Sequence, residues 1–215
     1  MKARINEIFP SIDGEANYFH QGRTSVFIRF AGCNCKCVYC DAVKAQTYSG
    51  ARIMTTEEIY QDVDRHGIRK VTMTGGEPLL QEDALRELCS KFAANGYMVT
   101  IETNGTKMVD TFLLARAAIV MDYKLPFTGE EKRMRIPHFL ALRGIDMVKF
   151  VVAELEDFHH ALKIKNKLEV YGLKARVVFS PMWDSPAVKN LHMWMIDTRI
   201  NAICSYQIHK FIGAR

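Results

Sequence analysis

Residues 25–40 read SVFIRFAGCNCKCVYC, an apolar segment followed at once by four of the chain's six cysteines. The apolar part, 25–31, has the β-branched and aromatic residues of a strand that is buried on both faces. In folds built on parallel strands, reactive residues lie in the loops that follow the carboxyl ends of the strands. The stretch therefore predicts a functional loop at 32–40, placed at the end of a buried strand.

Five further segments have the same strand character. They lie at 70–75, 97–103, 118–124, 147–153 and 175–180. Amphipathic stretches with helix-start and helix-stop signals lie between some of them, at 55–67, 82–96 and 154–172. This alternation predicts an α/β fold with a parallel sheet. Because a full eightfold barrel usually needs about 250 residues, we expect a truncated, partly open (β/α)6 barrel.

The composition is that of one soluble globular domain over residues 1–215, with 48% hydrophobic and 25% charged residues. The longest apolar runs are far shorter than the roughly 20 residues that cross a bilayer, and the first residues lack the apolar core of a signal peptide. We therefore expect a cytoplasmic protein without membrane contact. The net charge of +5 is spread along the chain, which does not indicate nucleic-acid binding.

In a reducing cytoplasm, clustered cysteines are more typical of metal or redox centres than of disulfides. All four could hold one zinc ion, although no second cysteine pair follows and the cage would be strained. A thioredoxin-like dithiol, CVYC at 37–40, would leave Cys33 and Cys35 without a role. Alternatively, Cys33, Cys37 and Cys40 could hold three irons of a 4Fe–4S cluster and leave the fourth iron open, with Cys35 packed as a small apolar residue.

The C-x3-C-x2-C triad, with Tyr39 before its last cysteine, and the TGGEP motif at 74–78 resemble the radical SAM superfamily. The resemblance implies a 4Fe–4S cluster on Cys33, Cys37 and Cys40. It also implies that S-adenosylmethionine (SAM) chelates the open iron and, once the reduced cluster passes it an electron, yields a deoxyadenosyl radical. Glycines without a Cβ would let the TGGEP backbone approach the methionine amino group.

A narrower resemblance covers nearly the whole chain. Residues 9–41, FPSIDGEANYFHQGRTSVFIRFAGCNCKCVYCD, are similar to the N-terminal signature of the 7-carboxy-7-deazaguanine synthases, and ETNGT, DYKLP, VKFVV, FSP and QIHKFI follow in that family's order. The resemblance implies a lyase that contracts the ring of 6-carboxy-5,6,7,8-tetrahydropterin to give 7-carboxy-7-deazaguanine and ammonia, on the route to queuosine and other 7-deazapurines. SAM would then be a reusable cofactor.

The resemblance also implies roles for individual side chains. Arg29 is expected to pair with the substrate carboxylate, because its planar guanidinium suits bidentate binding. The other residues expected in the pterin pocket are Ile12, Asp13, Gly14, Glu15, Thr74, Gln207 and His209. Those expected around SAM are Tyr39, Cys40, Asp41, Gly75, Gly76, Glu77, Asn104, Asp122, Tyr123 and Lys124. Glu102 and Lys149 are expected to pair with each other, either beside SAM or as a structural contact.

Three positions depart from the family's pattern. Where relatives have a serine or threonine hydroxyl that ligates Mg2+ near the substrate, this chain has Ala42, and a methyl group cannot bind a hard cation. Mg2+ would then have to be held by substrate, water or Asp41, and we expect a weaker dependence on this ion than in relatives. Asp13 stands where glutamine is usual, and Ala16 where glycine is usual.

Two other functions fit part of the pattern. One is a radical SAM activase that installs a glycyl radical on a large protein, which needs an open groove rather than a closed pocket. The other is a non-catalytic interaction module stabilised by zinc. For a synthase, the expected partners are the small pterin substrate, an electron donor such as flavodoxin or ferredoxin, and a second copy of the chain in a homodimer.

Overall fold

The computed structural model describes residues 1–214, which form a nine-stranded mixed sheet with seven α-helices. The strands are β1 (Lys2–Ile12), β2 (Thr24–Phe30), β3 (Arg52–Thr55), β4 (Lys70–Gly75), β5 (Met98–Thr103), β6 (Ala118–Tyr123), β7 (Met147–Val152), β8 (Arg176–Pro181) and β9 (Ile203–Cys204). The helices are α1 (Thr56–Asp64), α2 (Glu82–Ala94), α3 (Thr111–Leu114), α4 (Ile136–Leu140), α5 (Leu155–Val170), α6 (Ala187–Asp197) and α7 (Ile208–Phe211). Across the sheet the strands are ordered β3-β1-β2-β4-β5-β6-β7-β8-β9.

The six predicted strands are β2 and β4 to β8, and they pair in parallel in chain order. Their side chains alternate between the two faces of the sheet. In β4, Val71 and Met73 belong to the main apolar core, whereas Lys70, Thr72 and Thr74 make polar contacts on the opposite face. The predicted parallel α/β sheet is therefore confirmed, with one apolar face and one face that carries polar groups.

Helices α1, α2 and α5 lie where the sequence predicts them, whereas α6, with 11 residues, and the short α3, α4 and α7 were not predicted. α1 begins with a capping box, in which the Glu58 N–H donates to Thr55 Oγ1 at 3.2 Å and the Thr55 N–H donates to Glu58 Oε2 at 2.7 Å. α2 buries Leu85, Leu88 and Phe92 in the main core, which fixes this helix against the sheet. Within residues 1–214, no helix combines the length and the apolar character that crossing a bilayer requires.

Three strands, β1, β3 and β9, were not predicted from the sequence. β1 runs antiparallel to both β2 and β3, and it alternates buried Ala3 and Ile5 with exposed Lys2 and Arg4. This is the pattern of a strand with one buried and one exposed face, whereas the central strands are almost continuously apolar. β9 has only two residues and extends the sheet beyond β8. β3 and β9 are the edge strands and do not pair with each other, so the sheet does not close. The predicted partly open barrel is therefore confirmed.

Candidate active site

A cavity of about 600 Å³ opens at the carboxyl ends of the parallel strands. It is lined by the cysteine loop (32–40), the loop that follows β1, the ends of β4 to β8, and residues 207–210 near the C-terminus. The cavity lining includes every residue that the sequence assigns to metal, SAM or substrate, except Glu77 and Tyr123. The strand ends thus bring residues from distant parts of the chain to one place.

Cys33, Cys37 and Cys40 line this cavity and are only partly buried. A hydrogen bond from the Cys35 thiol, helped by the Cys35 N–H at 3.4 Å, lowers the pKa of Cys33 to about 6 against the opposing effect of burial. Cys35 likewise lowers the pKa of Cys37. Cys35 itself is 3% exposed, as expected of a spare packed residue, and its bonds to the two neighbouring thiols raise its own pKa far above the ordinary value.

The arrangement of the thiols suits an iron–sulfur cluster. Among residues 1–214, no three His, Cys, Asp or Glu side chains converge so that they could hold a single metal ion. A structural zinc site requires such convergence, whereas a 4Fe–4S cluster takes each cysteine on a different iron. Three thiols that line one cavity without converging on a single point therefore suit a cluster that takes one cysteine on each of three irons.

The glycine pair of TGGEP is required by packing against the cysteine loop. Gly75 has φ of +136°, and a Cβ at this position would lie 2.2 Å from the Phe30 carbonyl oxygen. A Cβ on Gly76 would lie 2.1 Å from the Gly32 carbonyl oxygen. Next along the turn, the Glu77 N–H donates to that same oxygen at 2.8 Å. Glycine is therefore needed here to bring two backbones together, a reason that the sequence alone did not supply.

Glu77 lies beneath the cavity and does not line it. Its carboxylate is fully buried and accepts hydrogen bonds from Leu79 N at 3.0 Å, Thr103 Oγ1 at 2.8 Å and Asn104 N at 2.7 Å. Burial raises the pKa of Glu77 to about 7, against the opposing effect of these donors. Glu77 thus holds Asn104 in place, and the Asn104 side-chain amide lies 3.8 Å from Cys33 Sγ.

Tyr123 also lies away from the cavity, because alternate residues of β6 face opposite sides of the sheet. Its ring packs in the apolar core, with centroids 5.0 Å from Phe139 and 5.4 Å from Phe150. Asp122 and Lys124, its two neighbours, line the cavity. The Lys124 ammonium donates to Asp122 Oδ2 at 2.6 Å and to the hydroxyl of Tyr39 at 3.1 Å.

Lys149 is at the centre of the charged groups in the cavity. It donates to Glu15 Oε2 at 2.5 Å and lies 3.2 Å from Asp122 Oδ1, so the expected ion pair with Glu102 is not the one that forms. Glu102 instead accepts a hydrogen bond from Thr74 Oγ1 at 2.8 Å. Burial raises the pKa of Glu102 to about 7, against the attraction of Lys149, and the nearby Glu15 carboxylate adds to this rise.

Arg29 lines the cavity beside the cysteine loop, and it is already engaged on one side. Its Nε donates to Glu7 Oε1 at 2.8 Å, and both side chains are 24% exposed. The guanidinium carbon also lies 5.7 Å from the centroid of the Phe9 ring. Glu7 and Phe9 therefore fix the plane of the guanidinium while the group remains part of the cavity wall.

Asp13 lines the cavity, and two residues outside the cavity lining bind its carboxylate. Asp13 is 2% exposed and forms a buried ion pair through Oδ2 with Lys70, which is fully buried. Thr72 Oγ1 donates to the same oxygen at 2.8 Å. The sequence analysis missed Lys70, although a charged residue that begins the otherwise apolar KVTMTG segment was a visible signal.

Residues near the C-terminus close the cavity over the loop that follows β1. Gln207 Nε2 donates to Glu15 Oε1 at 2.6 Å, and the Ile208 N–H donates to the Gly14 carbonyl at 3.1 Å. His209 packs so closely on Gly14 that a Cβ there would lie 1.9 Å from His209 Nδ1. Burial lowers the pKa of His209. Both predicted residues, Gln207 and His209, therefore reach the cavity by contacting the loop that carries Gly14 and Glu15.

Ala42 lines the cavity at the position where the resemblance predicts a hydroxyl. The preceding residue, Asp41, is paired with Lys210, whose ammonium lies 2.9 Å from Asp41 Oδ2. Lys210 also lines the cavity and was not predicted. At this point the chain therefore offers a methyl group and an acid that is already paired with a cation, in place of a neutral oxygen ligand.

Comparison with known proteins agrees with this geometry. A profile described as Radical SAM superfamily matches residues 27–127. The chain is 37% identical to the 7-carboxy-7-deazaguanine synthase of Clostridium acetobutylicum, over 99% of this chain and 96% of that protein. It is 35% identical to the 7-carboxy-7-deazaguanine synthase of Methanospirillum hungatei, over 98% of this chain and 85% of that protein.

The fold is similar to a solved structure as well. QueE from Escherichia coli superposes with a TM-score of 0.74 at 22% identity, over 96% of this chain and 94% of that one. The structural match supports the fold, and the identity over nearly the full length supports the narrower assignment. The chain belongs to the 7-carboxy-7-deazaguanine synthase family of the radical SAM superfamily.

Proposed function

We propose that this chain is a radical SAM lyase that converts 6-carboxy-5,6,7,8-tetrahydropterin to 7-carboxy-7-deazaguanine with release of ammonia. Membership of the synthase family supports the reaction. The observation that carries the proposal to this chain is one cavity of about 600 Å³ whose lining includes the three cysteines together with Arg29 and Glu15. Such a cavity suits a small, charged substrate placed close to a radical source.

We propose that Cys33, Cys37 and Cys40 ligate a 4Fe–4S cluster. When bound there, the reduced cluster and SAM supply the adenosyl radical that takes a hydrogen from the substrate and later returns it. The described residues at this end suit a bound adenosyl group, because Tyr39 offers an aromatic face and Asn104 an amide. Among the predicted SAM residues, Glu77 and Tyr123 would act indirectly, since neither lines the cavity.

The substrate would be held by charge at two points. Arg29 would bind the substrate carboxylate through its terminal nitrogens, because Nε is already used by Glu7. Glu15 would accept N–H groups from the aminopyrimidine edge, and Lys149 and Gln207 keep its carboxylate in place for that role. Lys149 therefore supports substrate binding through Glu15 as well as through its own charge.

Glu102 would serve as a hydrogen-bonding group that can hold a proton near neutral pH. Burial raises the pKa of this carboxyl to about 7, which brings its titration close to neutral pH. Thr74 fixes one of its oxygens at 2.8 Å. The group can therefore follow a change of protonation in the substrate while nitrogen leaves, without moving its side chain.

Further proposals concern cofactors and partners. Mg2+ would be held by substrate and water, because Ala42 lacks the usual hydroxyl ligand. A flavodoxin or ferredoxin would reduce the cluster, and the active species would be a cytoplasmic homodimer in which residues 1–215 act as one radical SAM domain. Light scattering and reduction by purified carrier proteins would test these points directly.

The central experiment is anaerobic turnover. Protein reconstituted with iron and sulfide would be incubated with SAM, a reductant and 6-carboxy-5,6,7,8-tetrahydropterin, and the products analysed by mass spectrometry. We expect 7-carboxy-7-deazaguanine with SAM recovered. Irreversible deoxyadenosine release without that product would contradict the synthase and favour a glycyl-radical activase, and a colourless zinc protein would contradict radical chemistry altogether.

A further inference from the structure

Two opposite charges are buried together at the substrate end of the cavity. Lys70 is 0% exposed and Asp13 is 2% exposed, although each carries an ionisable group. The Lys70 ammonium contacts Asp13 Oδ2 and donates to Thr72 Oγ1 at 3.1 Å. Thr72 Oγ1 lies 2.9 Å from Ser25 Oγ, which completes a polar network inside the sheet. A buried charge is costly unless it is paired, so Lys70 and Asp13 depend on each other.

The network leaves one oxygen of Asp13 for a ligand. Within residues 1–214, the hydrogen bonds of the Asp13 carboxylate come from Lys70 and Thr72 and all use Oδ2, while Asp13 itself is part of the cavity wall. The main chain of Asp13 is also fixed, because its N–H donates to the Arg23 carbonyl and its carbonyl accepts from the Gly22 N–H, both at 2.8 Å. Oδ1 is thus held in one position by groups that lie behind it.

We propose that Asp13 is a specificity-determining residue of the substrate site and that Lys70 is its positioning residue. This inference rests on the proposed function and deepens it. A carboxylate oxygen accepts hydrogen bonds and donates none, so Asp13 Oδ1, together with the Glu15 carboxylate, selects a ligand edge made of N–H groups, such as the amino group and ring N–H of an aminopyrimidinone. A side-chain amide at the same place would accept and donate, and would discriminate less.

The test compares three variants: K70M, D13N and the double variant D13N/K70M. KM for the pterin and kcat would be measured on the reconstituted enzyme, together with thermal unfolding. We expect each single variant to melt at a lower temperature and to raise KM at least tenfold. In the double variant no charge is left unpaired, so the melting temperature should recover while KM stays at least tenfold raised. Recovery of both quantities would overturn the proposal, because the pair would then be structural only.

Two further variants keep the test decisive. T72V removes one hydrogen bond to Asp13 without changing charge, and we expect it to fold and to raise KM about threefold to tenfold. If T72V and every foldable variant keep the wild-type KM, the proposal is wrong. K165M is the matched control, because Lys165 is another buried lysine, 6% exposed and paired with Glu169 at 2.7 Å, on α5 outside the cavity lining. It should lower stability and leave KM unchanged.

A substrate analogue separates this inference from the proposed function. A 6-carboxytetrahydropterin without the 2-amino group should bind more weakly than the substrate to the wild-type enzyme, and D13N should reduce that difference at least threefold. An equal difference in both proteins would contradict the role of Asp13 while product formation continues. If the wild-type enzyme forms no 7-carboxy-7-deazaguanine at all, it is the proposed function that fails.

Discussion

The two ends of the cavity differ in how they follow the family's pattern. At the cysteine end, Cys33, Cys37 and Cys40 have the expected spacing, and the glycine turn packs against their loop with no room for a Cβ. Among the residues expected near the substrate, Asp13 stands where the resemblance predicts glutamine and pairs with the buried Lys70, and Ala42 stands where it predicts a hydroxyl. If the proposed roles hold, the contrast teaches that the radical source needs fixed ligands and backbone packing, whereas the substrate can be held by groups other than the usual ones.

The strongest test of the cysteine end is Cys37→Ala. Removing one of three iron ligands should abolish both cluster binding and turnover, measured as iron and sulfide content and as product formed. Cys35→Ala is the matched control, because Cys35 lies in the same loop and lines the same cavity but falls outside the C-x3-C-x2-C spacing. We expect it to retain about four irons per chain. Equal loss of iron in both variants would show that the assignment of ligands is wrong.

Glu77→Gln tests the packing behind that end. Because the folded-state pKa of Glu77 is about 7 against an ordinary 4.5, the native protein holds this proton more tightly than the unfolded chain does. The resulting stability is fully present below about pH 4.5 and is lost as the pH rises through 7, a change of about 3 kcal/mol. The variant should flatten this fall in the free energy of unfolding, measured with denaturant at pH 5 and pH 8. An unchanged difference between the two pH values would contradict the prediction.

Arg29→Ala tests the substrate end. Loss of a charge-assisted contact with the substrate carboxylate should cost about 2 kcal/mol, which corresponds to a roughly thirtyfold higher KM. Glu7→Gln is the control, because it removes the ion pair with Arg29 but keeps the guanidinium in the cavity. A KM that rises equally in both variants would indicate that the ion pair, rather than contact with substrate, is what matters.

The smallest effect is expected from magnesium. With Ala42 in place of a hydroxyl ligand, turnover in EDTA and turnover with added Mg2+ should agree within about twofold. Ala42→Thr supplies the missing oxygen and should make turnover respond more strongly to the ion. A large stimulation of the unchanged protein by Mg2+ would contradict this expectation and would bring the substrate end closer to the family's pattern.

The sequence predicted the central sheet well because the six parallel strands are rich in β-branched and aromatic residues and are almost continuously apolar. It missed β1, whose charged residues alternate with buried ones, and it missed β3 and β9, which are too short to show a pattern. These strands were missed because a strand is predicted from the repeat of apolar residues along it, and that repeat is clear only where several residues face the same environment. Helix α1 was predicted because its capping box, Thr55 and Glu58, is visible in the sequence.

Within the site, the motifs identified residues that line the cavity, but they could not predict which residues form hydrogen bonds or ion pairs with one another. Strand alternation within the predicted segment 118–124 already places Tyr123 on the opposite face from Asp122 and Lys124, so this signal was present in the sequence. The choice of Glu15 rather than Glu102 as the partner of Lys149 depends on how the loop after β1 folds over the sheet. The contact between Asp13 and Lys70 joins residues that are 57 positions apart, and no local pattern predicts it.

The closure of the cavity by the C-terminal residues also has a consequence for the order of folding. The glycine turn and the cysteine loop meet within the first half of the chain, whereas Gln207 contacts Glu15 across 192 positions and Ser205 contacts Ala16 across 189. Contacts between distant residues form late, because a long loop must be closed first. The cysteine loop also accepts contacts from Glu130 and Arg133, so it can take shape once the chain has been made to that point, before the C-terminal residues close the pterin pocket.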